Sequence, residues 1–437
     1  MLQLMLWFIV LMMLLLFCYN FSDKGIITPE IIFLAGFIPQ VLQAFFYVNK
    51  FEIDLSDETL FVLILGSVLF VFVSFWSARF FRKFKKRTFQ YGQRYKAPRI
   101  DKTIIVVFTV FEVLTVLVTI YFLVSAYGTS LQRAIYLFRA QSMVGYHGVD
   151  IEVRMPGWLR LAKRITTASG YFWGYVLMQQ IILKNKENRK LIIANFLLSA
   201  ANSFISTGGR KGIFLLVIAT LMDLYIVYGI NTNWKRRMKP KTVIMLIVFG
   251  FVFVGTFKIA GEAAGKTINY DFGDYLAVYL SAPLKNLDIF IREGTFGISD
   301  ISQSALFAHL VQYFNARGYL NPYQDSFTYN HVNGINIGNA YTTYFSYLHD
   351  FGYIGLVTFV TFSALLCQYL FQKIKKANAY DISAGTILYS YLVSNLAFSF
   401  FGSFFITSIF DMTFFWNLFV WIGLSIIVKV KFVIRRR

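Results

Sequence analysis

The stretch TIIVVFTVFEVLTVLVTIYFLVSA, residues 103–126, follows RFFRKFKKRTFQYGQRYKAPRIDK, residues 79–102. Together they decide the class of the fold. The first is apolar from end to end apart from hydroxyls and Glu112, and a hydrocarbon core about 30 Å thick needs roughly twenty such residues in one helical crossing. The second carries ten basic residues against one acidic residue, Asp101. Positive charge resists translocation, so residues 79–102 are expected on the cytoplasmic side of a membrane.

Working outward, similar apolar periods mark spans near residues 2–19, 28–48, 59–78, 165–183, 191–207, 213–229, 242–259, 352–371, 383–402 and 412–430, about eleven crossings in all with the first. Composition agrees: 57% of the 437 residues are hydrophobic, 19% aromatic and only 15% charged, unlike a soluble domain of this size. The net charge of +20 lies mainly in short clusters beside apolar segments. That is the signature of topology and lipid contact and not of nucleic-acid binding. Cys18 and Cys367 fall inside apolar segments, which leaves no disulfide framework. The chain reads as one all-α polytopic domain, residues 1–437, without internal repeat or linker.

Alternation from the basic loop puts residues 184–190, 234–241, 373–376 and 429–437 on the same side, and each carries basic residues. Two long inter-helix stretches, residues 127–164 and 259–351, then face outward. The first is unusual for that face, with Arg133, Arg139, Arg154, Arg160, Lys163 and Arg164 against Asp150 and Glu152. Either a span is miscounted or these cations hold an anion, and the second is favoured because moving this loop inside would strand several of the basic clusters.

Helix interiors hold few ionisable groups, chiefly Glu112 and Asp223, both read as polar groups facing neighbouring helices. That scarcity weighs against an ion-coupled carrier. The chemistry is expected at the outer face. Ser206-Thr207-Gly208-Gly209-Arg210-Lys211-Gly212 is a tight turn between two spans, in which paired glycines allow positive φ and Arg210 offers a forked donor for phosphate oxygens. The long segment 259–351 holds Glu262, Lys266, Lys285, Arg292, Glu293, His309, Arg317, Asp325, His331, His349 and Asp350 among many Tyr, Phe and Asn residues. Residues 275–291 and 302–314 have helical periodicity, whereas 315–323 and 330–339 read as loops because Gly, Asn and Pro crowd them. Aromatic and amide side chains suit sugar rings, whose faces are apolar and whose edges carry hydroxyls. The histidine spacings match no zinc motif, and there is no Gly-x-Ser-x-Gly elbow or phosphate-binding P-loop. No metal or cofactor is implied.

Two stretches carry a family resemblance. Residues 207–218 open with a small-Gly-Gly-Arg-x-x-apolar turn entering a span, and residues 339–356 run from Asn339 through Tyr347-Leu348-His349-Asp350-Phe351-Gly352-Tyr353-Ile354-Gly355-Leu356. In these, and in a hydropathy layout that covers essentially the whole chain, the protein resembles the Wzy-type oligosaccharide repeat-unit polymerases, which extend O-antigens and related bacterial surface glycans. The resemblance implies a fold of the polyprenyl-phosphate sugar transferase (GT-C-like) kind. It also implies an inner-membrane enzyme with its active site facing the periplasm, so that residues 127–164 and 259–351 become periplasmic loops.

The implied reaction moves the growing glycan from undecaprenyl diphosphate to a new undecaprenyl-diphosphate-linked repeat unit, alongside a chain-length regulator and a flippase of the same pathway. Arg210 carries over from the matched turn as a diphosphate ligand, with Lys211 beside it. Arg292, Arg317, Arg133 and Arg139 are further candidates for the clamp. A general base is needed for the acceptor hydroxyl, and His331, His309, His349 and Asp350 are the contenders. The related O-antigen ligases pair a His-Asn dipeptide with a Gly-x-x-Gly turn. Here Gly352 and Gly355 are present, but Tyr341 stands at the corresponding spacing and Asn339 is preceded by Gly338. This favours polymerase over ligase. A lipid-linked oligosaccharide flippase is the alternative of a different class, and it would place charges along a cavity between two related halves.

Overall fold

The computed structural model describes residues 1–21, 27–82, 99–141, 153–207, 209–234, 255, 259, 261, 271–376 and 382–429. Among the described residues the helices are α1 (Leu2–Phe21), α2 (Pro29–Tyr47), α3 (Asp57–Arg82), α4 (Lys102–Tyr127), α5 (Leu131–Gln141), α6 (Gly157–Ile182), α7 (Arg189–Thr207) and α8 (Lys211–Asn231). They continue with α9 (Phe272–Leu280), α10 (Ala282–Glu293), α11 (Ala308–Asn315), α12 (Thr343–Ile374), α13 (Ala384–Leu396), α14 (Phe404–Ile409) and α15 (Met412–Ile427). A hairpin of β1 (Asn330–Val332) and β2 (Ile335–Gly338) is the sheet among the described residues. Helices α1, α2, α3, α4, α8 and α12 are each long and apolar enough to cross a membrane. The chain is an all-α membrane protein that crosses more than once.

Local chemistry sets the helix ends. Asp101 caps α4 by accepting from the Thr103 amide at 2.8 Å, and Gly128 ends it at φ 58°. Helix α3 opens on Asp57 and Glu58 and closes on Arg79 and Arg82, charges that match its macrodipole at both ends. Most of the basic run 79–102 and of the expected span 242–259 lies outside the described residues.

Several elements differ from the sequence-based expectation. Residues 127–164 are not simply a loop, because α5 and the first two turns of α6 occupy part of them. Residues 275–291 form two helices that meet at Ser281, with Pro283 entering the second. Residues 330–339 form the hairpin, closed by Asn333 and Gly334 at φ 50° and 74°. An Asn-Gly pair with both residues at positive φ is the favoured two-residue hairpin turn. The expected span 383–402 ends as a helix at Leu396.

The chain divides into two compact units. The first holds residues 1–86, 270–373 and 392–414, and the second residues 87–269, 374–391 and 415–437. In the second, α6 meets its neighbours through Gly170 and Gly174. A Cβ at Gly170 would stand 2.8 Å from the Ser199 Cβ on α7, and one at Gly174 would stand 2.6 Å from Thr220 Oγ1 on α8. Small residues one turn apart let helix backbones approach where lipid supplies no hydrophobic drive. An apolar cluster around Trp173, Tyr175 and Trp421 fills the middle, and the Trp421 indole donates to the Ala168 carbonyl at 2.8 Å.

In the first unit, α12 is two helices joined at Gly352, which sits at φ 60°, ψ −151°, open to glycine and closed to other residues. Tyr353 OH donates to Glu58 at the start of α3 (2.7 Å), while Tyr344 OH meets Ser67 Oγ (3.1 Å). At about 1.5 Å per residue, Ser67 lies some 13 Å further along α3 than Glu58. Residues 343–351 therefore start deep in the unit and climb to Gly352, and the rest of α12 runs back down beside α3 to the Phe81–Tyr369 contact. Gly355 makes the reversal possible, since a Cβ there would lie 2.3 Å from the Tyr347 carbonyl. The deep end is held by Thr343, whose amide donates to the Ser399 carbonyl at 2.8 Å, and by Gln40, which donates to the Phe400 carbonyl at 2.8 Å. The non-helical turn after α13 thus finds partners inside the protein, as irregular backbone in a membrane bundle must.

Candidate functional site

The climb of residues 343–351 brings His349 and Asp350 to the end of α3 that carries Asp57 and Glu58. Asp350 is buried, 3% exposed. Its Oδ1 accepts from the Ala305 amide (3.0 Å) and faces His349 Nδ1 (2.8 Å), while Oδ2 accepts from the Leu306 amide (3.0 Å) and the Ser304 hydroxyl. Four donors fill a carboxylate's capacity, so Asp350 acts here as a fixed anion. An ionised carboxylate only accepts, which puts the imidazole proton on Nδ1 and the basic lone pair on Nε2. The ring packs against Phe290 and Phe345 at centroid distances of 6.1 and 5.3 Å and keeps 18% of its side-chain surface exposed. Gly297 donates its amide to the His349 carbonyl at 3.0 Å, which ties the preceding loop to the same turn. Among the described residues, Nε2 has no protein partner.

The surroundings of this dyad are acidic and aromatic. Burial, together with the nearby Asp325 and Asp350 carboxylates, pushes the Tyr323 phenol above its ordinary range. Glu293 and Asp325 lie within electrostatic reach of Tyr341. Tyr341 in turn shares a side-chain chain with Thr328 (2.7 Å) and Asn330 (3.2 Å), and Asn330 donates to Asn286 at 2.9 Å. Asn286, fully buried on α10, donates to the carbonyls of Gly338 and Ala340. This network fastens the hairpin to α10 and places the start of α12.

The other expected residues of this unit stand apart from the dyad's hydrogen bonds. His309 is exposed on α11 and His331 exposed on β1. Arg292 is committed locally: its Nε donates to Asp288 Oδ2 at 2.8 Å and its guanidinium also reaches the Asp54 carbonyl. Asp288 is fully buried and accepts as well from the Ser56 amide (2.7 Å) and the Thr59 hydroxyl (2.8 Å). Arg317 is exposed, lies 3.4 Å from the Tyr313 ring and donates to the Tyr313 carbonyl.

The remaining cations belong to the second unit. Arg210 immediately precedes α8 in helical conformation and is buried at 7% exposure, with Lys211 exposed beside it. Gly208 lies outside the described residues. The close approach here is at Gly212, where a Cβ would stand 2.2 Å from Ser203 Oγ on α7. Arg133 and Arg139 lie on α5, Arg133 exposed and 5.1 Å from the Tyr136 ring. Lys163, on the first turns of α6, is buried at 9% exposure, which nothing in its local sequence announced.

The intramembrane acids match their reading as polar groups facing neighbouring helices. Glu112 Oε1 accepts from Ser169 (2.6 Å), Trp173 (3.3 Å) and Ser199 (3.3 Å), and Asp223 accepts from Ser390.

Comparison with family models, with curated proteins and with solved structures finds no match to this chain.

Proposed function

We propose that this chain is a bacterial repeat-unit polymerase, a glycosyltransferase of the inner membrane that lengthens a surface glycan on its undecaprenyl-diphosphate carrier. The observation that carries the reading is the His349–Asp350 pair. It falls inside the stretch 339–356 that resembles the polymerase family, and its geometry is that of an oriented general base. Nε2 takes the proton from the acceptor hydroxyl as that oxygen attacks the anomeric carbon, and Asp350 holds the imidazolium that results. As the glycosidic bond to the carrier breaks, charge develops on the diphosphate. Fixed cations stabilise it more in the transition state than before it. On the second unit, the family resemblance assigns Arg210 and Lys211 to carrier-diphosphate binding, with Arg133 and Arg139 as further candidates.

Charge placement supports a periplasmic site. Helices α3 and α12 end on Arg79, Arg82 and Lys373, whereas the dyad lies beside the acidic start of α3. By the positive-inside rule the dyad end belongs outside the cytoplasm. The remaining expected crossings, to about eleven, follow from the same alternation. The partners are lipid-linked oligosaccharides, bilayer lipids and, in the same pathway, a chain-length regulator and a flippase. Nucleic acid has no role in this reading.

The test is a deletion strain complemented with wild type, Arg210→Ala or His349→Ala, with the glycan ladder on lipid A as the readout. The reading expects single repeat units without long chains in both variants, at normal protein level. Normal ladders would overturn it. Loss of every capped lipid A would point to a ligase, and repeat units trapped on the cytoplasmic side to a flippase.

A further inference from the structure

Three segments of the second unit converge at one end. Asn202, near the end of α7, donates to the Lys163 carbonyl (3.0 Å) and to Thr167 Oγ1 (2.9 Å) on α6, and its neighbour Ser203 lies against Gly212 at the start of α8. Lys163 and the Arg210 turn are thus brought to the same end of the unit from positions far apart in sequence. The Lys163 side chain is buried there. Its ammonium lies 3.1 Å from the Met155 thioether sulfur and 5.1 Å from the Phe138 ring on α5. Both of those side chains belong to an apolar cluster with Ala134, Ile135, Leu159 and Ile205.

Among the described residues no carboxylate meets this ammonium. A thioether is a weak acceptor and a ring face a modest one, so neither replaces the water an ammonium gives up on burial. One turn along α6 from Lys163, Thr166 is fully buried and its hydroxyl has no partner among the described residues. Among the described residues, a buried cation and a buried hydroxyl three residues apart on one helix both lack an oxygen acceptor. The exposed Arg160 and Arg164 nearby already offer charge to the surface, so Lys163 is not needed there.

We propose that Lys163 is the inner cation of a phosphate-binding site at the Arg210 end of this unit, with a phosphoryl group carried on a lipid as its ligand. Thr166 donates to the same group. The chemistry fits two sources, the diphosphate of a prenyl carrier and the headgroup phosphate of a bilayer phospholipid. The site itself stands on the burial of Lys163, and it rests on the polymerase reading only for which lipid fills it.

The experiment uses the full-length chain purified in detergent and native mass spectrometry with three probes: farnesyl diphosphate, phosphatidylglycerol and farnesol. Wild type is expected to retain the two phosphate-bearing lipids in preference to farnesol. Lys163→Met, an apolar side chain of similar length that packs against Met155 and Phe138, should weaken them by roughly tenfold or more, while Lys163→Arg should stay within about threefold. Stronger retention of farnesyl diphosphate than phosphatidylglycerol assigns the site to the carrier, and the reverse assigns it to a bilayer lipid. Equal binding by wild type and Lys163→Met, or binding of farnesol as tight as that of the diphosphate, would overturn the proposal. If Lys163→Met fails to fold, wild-type preference over farnesol and the Lys163→Arg result still decide it. A Lys163→Met chain that loses the diphosphate yet builds long glycan in cells would leave the site standing and remove the polymerase reading instead.

Discussion

Asp350 and Lys163 are both single charges withdrawn from water, at 3% and 9% exposure, and they are treated in opposite ways. Asp350 is surrounded by donors from two backbone amides, a hydroxyl and an imidazole. Lys163 ends on a thioether and an aromatic face. A buried charge with every valence used fixes geometry, because moving anything around it breaks several bonds at once. A buried charge met only by weak acceptors costs stability and persists where something outside the chain completes it. The first arrangement therefore suits the positioning of a base, and the second suits a ligand.

The most severe way to break this comparison is Asp350→Ala. It leaves the buried amides of Ala305 and Leu306 without an acceptor and releases the His349 tautomer. Removing one partner of a buried charged network costs about 3–5 kcal/mol. The expected outcome is a large fall in thermal stability of the purified protein and loss of long glycan. A variant as stable as wild type would show that the loop 304–306 is not held by this carboxylate.

His349→Ala should separate the two roles. The ring is partly exposed and its loss leaves Asp350 with three donors, so stability should change by about 1 kcal/mol or less. Transfer should fall by about 10²–10⁴-fold if Nε2 is the base. In vitro extension of a lipid-linked acceptor measures this directly. Unchanged transfer would move the base to exposed His309 or His331.

Lys163→Met sharpens the other side. Replacing an unpaired buried cation by an apolar side chain is expected to be neutral or to stabilise the ligand-free protein by about 1–2 kcal/mol, in the direction opposite to Asp350→Ala. Thermal denaturation without added lipid checks the sign. A clear destabilisation would mean that the ammonium already has a strong partner within the chain.

These two regions were not equally legible in the sequence. Helices α1 to α4 and α8 fall where length and apolarity put them, since bilayer thickness leaves little choice. His349, Asp350 and Arg210 stand out as polar residues beside matched turns. The reversal at Gly352 was hidden because residues 343–351 and 353–374 form one continuous helical pattern, and only a glycine dihedral separates them. The Asn333-Gly334 turn was readable, yet the surrounding Asn and Gly residues suggested a plain loop. The burial of Lys163 could not be read locally. It depends on α5, a helix within an expected loop, which supplies Phe138 as the lid over the side chain.

Arg292 gives the smallest expected effect on glycan length. Sequence alone puts it on a par with Arg210, as an outward guanidinium available to a diphosphate. In the folded chain its Nε is already bound to Asp288, an ion pair half exposed on the arginine side. On its removal the fully buried Asp288 keeps the Ser56 amide and the Thr59 hydroxyl at Oδ1 but loses its donor at Oδ2, at a cost of about 1–3 kcal/mol. Arg292→Ala should therefore lower stability by about that much and leave glycan length close to wild type, whereas Arg210→Ala should abolish long chains. If Arg292→Ala shortens the ladder as much as Arg210→Ala does, then a cation with its own carboxylate still serves the substrate.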